Sequence, residues 1–314
     1  MLDLKYWSIS ALGSAAVLAL CVTLAATCAC AMETPRYCLG VEGIKCGSAP
    51  PPGFYLRSYN AWYHSTQLKD GNGHNVSVDF RFDLEASAER FIWVTDAPKK
   101  ELGFDFGVYA IVPFMDSSMK MGRLGVDDKS RLGVSDIEVC PAMLAWHFSR
   151  IDVTLAYEFF APVGNFKQYH PATGPIGFEY WTHQPTLGVT GYLDKEKTWS
   201  FSVLPRYEIH TEKHNAHFRA GDQFHFEWGV AKALPKHGIE VGAVGYCSWQ
   251  TTDDRGSGVT WDKKVHDRVF AAGPEVDYFI KPIGLNMAMR YEREFGARDR
   301  PVGNMSTLMF TKRF

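Results

Sequence analysis

The sequence predicts an all-β protein, a closed antiparallel transmembrane β-barrel of twelve strands behind a removable leader. Three observations carry this. Long runs alternate apolar and polar side chains with a period of two, the connections between runs alternate between long and short, and the chain closes on an aromatic residue, Phe314.

Residues 1–31 read as a signal peptide. Lys5 stands near the start, Ala11 to Ala26 is nearly unbroken apolar sequence, and Ala29-Cys30-Ala31 supplies the small residues that signal peptidase reads. The run is short for a membrane anchor, and Thr27 before Cys28 argues against a lipoprotein. Residues 32–53 are then expected as a periplasmic N-terminal segment and residues 54–314 as the barrel. Three of the seven cysteines leave with the leader. Cys38 and Cys46 stay close together in a loop-like stretch of an exported chain, which suggests a disulfide between them. Spacing does not fix the pairing of Cys140 and Cys247.

The clearest alternation starts at Val78. Val78, Phe80, Phe82, Leu84, Ala86 and Ala88 share one face, and Asp79, Arg81, Asp83, Glu85, Ser87 and Glu89 share the other. Leu102 to Ala110, Ile151 to Phe159, Trp199 to Ile209, Phe224 to Val230 and Ile283 to Tyr291 repeat the period. The predicted strands are 54–67, 78–95, 102–116, 132–147, 151–163, 179–194, 198–212, 222–235, 238–251, 266–281, 283–296 and 304–314. Most exceed the roughly nine to eleven residues that a tilted strand needs to cross a bilayer.

Short turns are expected at 96–101, 148–150, 195–197, 236–237 and 282, and long loops at 68–77, 117–131, 164–178, 213–221, 252–265 and 297–303. Outer-membrane barrels sort their connections this way, with both termini on the periplasmic, short-turn side. Trp93, Trp181, Trp199 and Trp249 fall near strand ends, where amphipathic rings mark the two interfaces. Leu308, Phe310 and Phe314 share a face of the last strand, a pattern that resembles the signal read by the barrel-assembly machinery, although Lys312 interrupts it.

In lipid a sheet must close to satisfy its edges. With apolar faces turned to hydrocarbon, the charged faces line the lumen: Arg81, Asp83, Glu85, Glu89, Glu158, Arg206, Glu208, Glu227, Arg290 and Glu292. Both signs are present, so ion pairs are expected to lace a narrow interior.

A formal net charge of −2 gives no reason to expect nucleic acid. The mature chain has no nucleophile elbow, P-loop or dinucleotide fingerprint, so no catalytic residue and no cofactor are expected. The histidines at 210, 214 and 217 lie where a strand runs into a loop, their spacing does not assure the converging ligand set of a zinc site, and they read as scattered histidines of a solvated loop. Asp70-Gly71-Asn72-Gly73 and Asp253 to Gly258 read as turns rather than calcium loops.

Pro50-Pro51-Pro52-Gly53-Phe54-Tyr55-Leu56, Trp93-Val94-Thr95-Asp96, Tyr180-Trp181-Thr182, Gly221-Asp222-Gln223-Phe224-His225 and Gln250-Thr251-Thr252-Asp253-Asp254 extend across nearly the whole mature chain. On these segments the chain resembles the outer-membrane proteins of the MetA pathway of phenol degradation family. The resemblance implies an outer-membrane barrel associated with uptake of aromatic or other hydrophobic compounds, and brings no catalytic or ligand residues with it. The segment Cys38 to Cys46 departs from the family pattern.

The expectation is a passive, porin-like outer-membrane channel or transporter whose partners are small hydrophobic or aromatic molecules, outer-membrane lipid and the assembly machinery. Phe166, Tyr169, Phe178, Phe218 and Trp261 are candidates for first capture, packing over the mouth being the alternative for each. Two other classes stay open: a rim hydrolase acting on lipid, and a structural barrel without transport.

Overall fold

The structure, a computed structural model, describes residues 35–129, 132–164, 176–213 and 216–314. The leader expected at 1–31 lies outside them. Twelve long antiparallel strands form one closed sheet: β1 (Gly53–Leu68), β2 (Phe80–Thr95), β3 (Asp105–Met121), β4 (Ile137–His147), β5 (Ile151–Ala161), β6 (Thr182–Tyr192), β7 (Trp199–His210), β8 (Gln223–Leu234), β9 (Ile239–Gln250), β10 (Arg268–Ile280), β11 (Leu285–Arg298) and β12 (Pro301–Arg313). Each pairs with its sequence neighbour, and β1 closes the ring on β12 from Tyr55↔Arg313 to Leu68↔Pro301. Two short strands, Val126–Lys129 and Gly133–Val134, add to the outer part of β3. Closure leaves no open edge, which is what lets strands cross a bilayer at all.

The outward faces of β5 and β7 carry Ile151, Leu155, Tyr157, Trp199, Phe201, Val203 and Ile209, all exposed, while Asp152, Thr154, Glu158, Ser202, Arg206 and Glu208 between them are buried. An apolar exterior around a polar interior suits hydrocarbon outside. Pro141 stands at a register shift in β4, where a residue without an N–H costs no ladder bond.

Two expectations need correction. The region expected as a loop at 117–131 is partly strand, since β3 runs on to Met121 and Val126–Lys129 pairs back with it. The last connection, expected to be long, is a two-residue turn at Asp299–Arg300, with Asp299 in the left-handed region at φ 51°. Long and short connections therefore do not alternate to the end. Ala297, Arg298 and Gly303, read as loop residues, lie within β11 and β12.

Candidate functional site

The interior is occupied by the chain's own leading segment. From Arg36 to Pro52 an irregular peptide with turns at 39–40 and 44–47 runs down the lumen, from the long-loop end to the short-turn end. The expectation of a periplasmic N-terminal segment at 32–53 is corrected for its described part, which is bonded to the inner wall of the barrel. The backbone supplies the reason: an irregular peptide brings unpaired N–H groups, and the inner wall brings carboxylates to receive them. Glu208 accepts the Arg36 and Tyr37 N–H groups, each at 2.8 Å. Glu227 accepts those of Gly40 at 3.0 Å and Glu42 at 2.9 Å. Glu275 accepts that of Ile44 at 3.3 Å. Lower down, the Ser48 hydroxyl donates to Asp152 at 2.8 Å and Lys45 pairs with Glu240 at 2.7 Å.

Glycine makes this seating possible. A Cβ on Gly47 would collide with the Val189 backbone, and one on Gly188 would lie 2.8 Å from the Gly47 carbonyl oxygen. Gly229 stands in the same relation to Gly43, also at 2.8 Å. Wall and segment thus meet backbone to backbone.

Six of the ten predicted lumen residues project into this interior: Glu158, Arg206, Glu208, Glu227, Arg290 and Glu292, all buried. Arg206 pairs with Glu227 at 2.8 Å and stacks on the Tyr37 ring, its guanidinium carbon 3.8 Å from the centroid. Arg290 pairs with Glu275 at 3.1 Å. Glu158 accepts hydrogen bonds from Tyr109, Gln184 and, at 2.7 Å, Thr186. Glu292 flanks Gly40 and finds no hydrogen-bond partner among the described residues.

The other four, Arg81, Asp83, Glu85 and Glu89, are corrected: they face outward. On β2 the inward set is Phe80, Phe82, Leu84, Ala86, Ala88, Arg90, Ile92 and Val94, and Arg90 fixes the direction by reaching Glu42 of the inner segment at 2.8 Å. The outward set ends in exposed Phe91 and Trp93. Arg81 donates to Asp83 at 2.7 Å, Asp83 meets His64 at 2.6 Å, and Ser58 donates to Glu89 at 2.8 Å, all on the outer surface. Polarity is inverted on this part of the wall because its apolar side faces a cavity instead of lipid.

That cavity has a volume of about 260 Å³ and lies between the leading segment and the wall of β1, β2 and β3. Ala86, Ala88, Ile111 and Met115 line the wall side, Leu39 and Val41 the segment side. Arg36 lines its outer end, pairs with Asp136 at 2.7 Å and lies over the Phe178 ring, 3.7 Å from the centroid.

Sequence reasoning missed Arg36, Tyr37, Glu42, Arg57, Arg90 and Glu275. Glu42 ties the segment to the wall through Arg57 at 3.0 Å, Arg90 at 2.8 Å and the Tyr59 hydroxyl at 2.6 Å. The glycines at 40, 43 and 47 were the available signal. The bridge expected between Cys38 and Cys46 is not made: both are free thiols on the inner segment, as are Cys140 and Cys247 in the wall. Of the loop aromatics, Phe178 covers Arg36, and Phe218 packs edge-on against Trp261, centroids 5.4 Å apart. Phe166, Tyr169 and His214 lie outside the described residues. His210 is buried inside the barrel beside Glu208, at 3.7 Å, and is not solvated; His217 is exposed.

At the long-loop end, burial and then the carboxylates of Asp267, Asp254 and Asp70 push Asp299 up to about 6. The His74 and Asn72 backbone N–H groups hold Asp70 below the usual carboxylate range.

Among solved structures the chain is similar to the COG4313 outer membrane channel from Pseudomonas putida F1, at 14% identity with a TM-score of 0.74, covering 85% of this chain and 97% of that one. It is more distantly similar to the translocator domain of the autotransporter NalP from Neisseria meningitidis, at 10% identity and TM-score 0.49, covering 84% and 90%. The CymD monoaromatic hydrocarbon channel matches at 7% identity and TM-score 0.45, covering 84% and 89%. No curated protein matches the sequence. The family model described as "Putative MetA-pathway of phenol degradation" matches residues 65–310, from the end of β1 into β12, and the chain belongs to that family.

Proposed function

We propose that the protein is an outer-membrane channel or transporter for small hydrophobic or aromatic compounds. One observation carries this reading: the barrel interior holds an apolar cavity of about 260 Å³, walled by side chains that an ordinary barrel would turn to lipid. The family's description and the nature of the Pseudomonas putida channel support it. Chemistry is not required by this reading, so the protein is a conduit and not an enzyme. Its partners are the permeant molecules, outer-membrane lipid and the assembly machinery.

The inner segment favours a second reading, a structural barrel without transport, because it fills much of the lumen. Uptake of toluene into proteoliposomes separates the two. The channel reading expects uptake faster than into protein-free vesicles. Equal rates would leave the structural barrel.

A further inference from the structure

We infer that the inner segment is not only a stopper: it forms one wall of a binding site for a single small uncharged ring compound. The inference rests on the channel reading for the source of the ligand, while the site itself rests on geometry.

The two sides of the cavity come from different parts of the chain. Ala86 and Ala88 give β2 a flat apolar surface, and Leu39 and Val41 face it from the segment. Without the segment, that surface would open onto the charged remainder of the lumen and would no longer be a two-walled apolar site. The volume of about 260 Å³ sets the size of the occupant. An apolar protein cavity of roughly 150 Å³ stays dry and takes up benzene, so this one holds one substituted ring or two fused rings.

The charges at its margins set the sign. Arg36 is taken up by Asp136 at 2.7 Å. Glu294 accepts from Tyr63 at 2.7 Å, Tyr246 at 2.9 Å and the Gly303 N–H at 2.7 Å. Arg300 lies 3.8 Å from Asp267 and 4.0 Å from Glu294. A charged ligand would give up its water and meet, in Arg36, Glu294 and Arg300, charges that each already face one of opposite sign. A neutral ring loses little and gains contact with both walls.

The test uses the mature chain in lipid nanodiscs and follows fluorobenzene, 4-fluorobenzoate and 1-fluorooctane by fluorine NMR against protein-free nanodiscs. Fluorobenzene is expected to bind saturably and more tightly than the other two. Ala86→Trp, filling the cavity from the wall, and Leu39→Asp, charging it from the segment, should each weaken binding at least tenfold. Glu85→Ala, on the outer face, should leave it unchanged, and heat-modifiable migration reports folding of each variant. Partitioning equal to that of empty nanodiscs, undiminished binding in both cavity variants, or preference for the alkyl chain or the anion would overturn the site. Uptake without saturable binding would remove the site and leave the channel. Saturable binding without uptake would support the site and remove the channel reading.

Discussion

Glu227 receives two opposite partners at once: its Oε2 takes the Arg206 guanidinium at 2.8 Å, and its Oε1 takes the Glu42 backbone N–H at 2.9 Å. A single carboxylate therefore couples the wall to the inner segment. Removing it leaves Arg206 buried and deprives two segment N–H groups of their acceptor. Breaking a buried pair from one side costs about 3–5 kcal/mol. Glu227→Ala is expected to loosen the segment, raising single-channel conductance and exposing residues near Gly40 to added protease. Unchanged conductance and protection would show that other contacts suffice.

The glycine contacts give a sharper pair of variants. Gly47→Ala puts a Cβ into the Val189 backbone, whereas at Gly191 an added Cβ meets nothing within 4 Å. Gly47→Ala should displace the segment while the strands still close, visible as higher conductance from a barrel that remains heat-modifiable. Gly191→Ala, one strand face away, should stay within about 0.5 kcal/mol of wild type, as surface changes usually do. Equal behaviour of the two would mean that the close approach at Gly47 is unimportant.

The outward direction of the β2 charges is open to measurement. Glu85 is exposed on the outer face and Arg206 is buried inside. Glu85→Leu should keep or raise resistance to denaturant in lipid, since a carboxylate facing hydrocarbon is unfavourable. Arg206→Leu should lose about 3–5 kcal/mol by stranding Glu227. A comparable loss at Glu85 would place it in the interior network.

Asp299 brings a dependence on pH. Its folded value of about 6 lies above the ordinary aspartate value of 3.8, so the folded turn binds a proton that the unfolded chain has released. The stabilisation is full below that ordinary value and is lost as pH rises through about 6. Hydrogen exchange at the β11–β12 turn should accelerate across that window in the wild type, and Asp299→Asn should flatten the response. Identical profiles in both proteins would contradict this.

Topology follows from the loop lengths. Tags inserted beside Gly71 and Gly256 should be reached by antibody on intact cells, and one beside Glu196, in a short turn, should not. Surface labelling at Glu196 would reverse the orientation.

Strand positions were legible because a period of two survives any environment: β5 and β9 fall within two residues of their predicted limits at each end. Direction was not legible from polarity alone. The β2 alternation was read correctly, but assigning its apolar side to lipid presumed a polar lumen throughout. Trp93 held the contrary evidence, because a ring expected at the membrane interface shares its face with Arg81, Asp83 and Glu85. The inner segment escaped notice for a different reason. Its bonds join Arg36 to Glu208 and Gly40 to Glu227, residues separated by 172 and 187 positions, and no local pattern encodes such a pairing. The tight turn at Asp299 was hidden because Gly303, taken as a loop residue, belongs to a strand, as do Ala297 and Arg298.

The seam between β1 and β12 joins the beginning of the barrel to its end. The peptide that leads into β1 doubles back inside, so residues from Arg36 onward are enclosed by a ring that the last strand completes. Arg36 and Tyr37 are bulky, and each is fastened near the far mouth by Glu208. Pulling them through a finished ring would mean dragging a guanidinium past Arg206 and the packed side chains below it. Laying the leading peptide into a still-open curl, before the two edges meet, avoids that passage. Closure of the seam is then also the step that commits the interior, and the order of events in biogenesis is written into the position of the segment from Arg36 to Pro52.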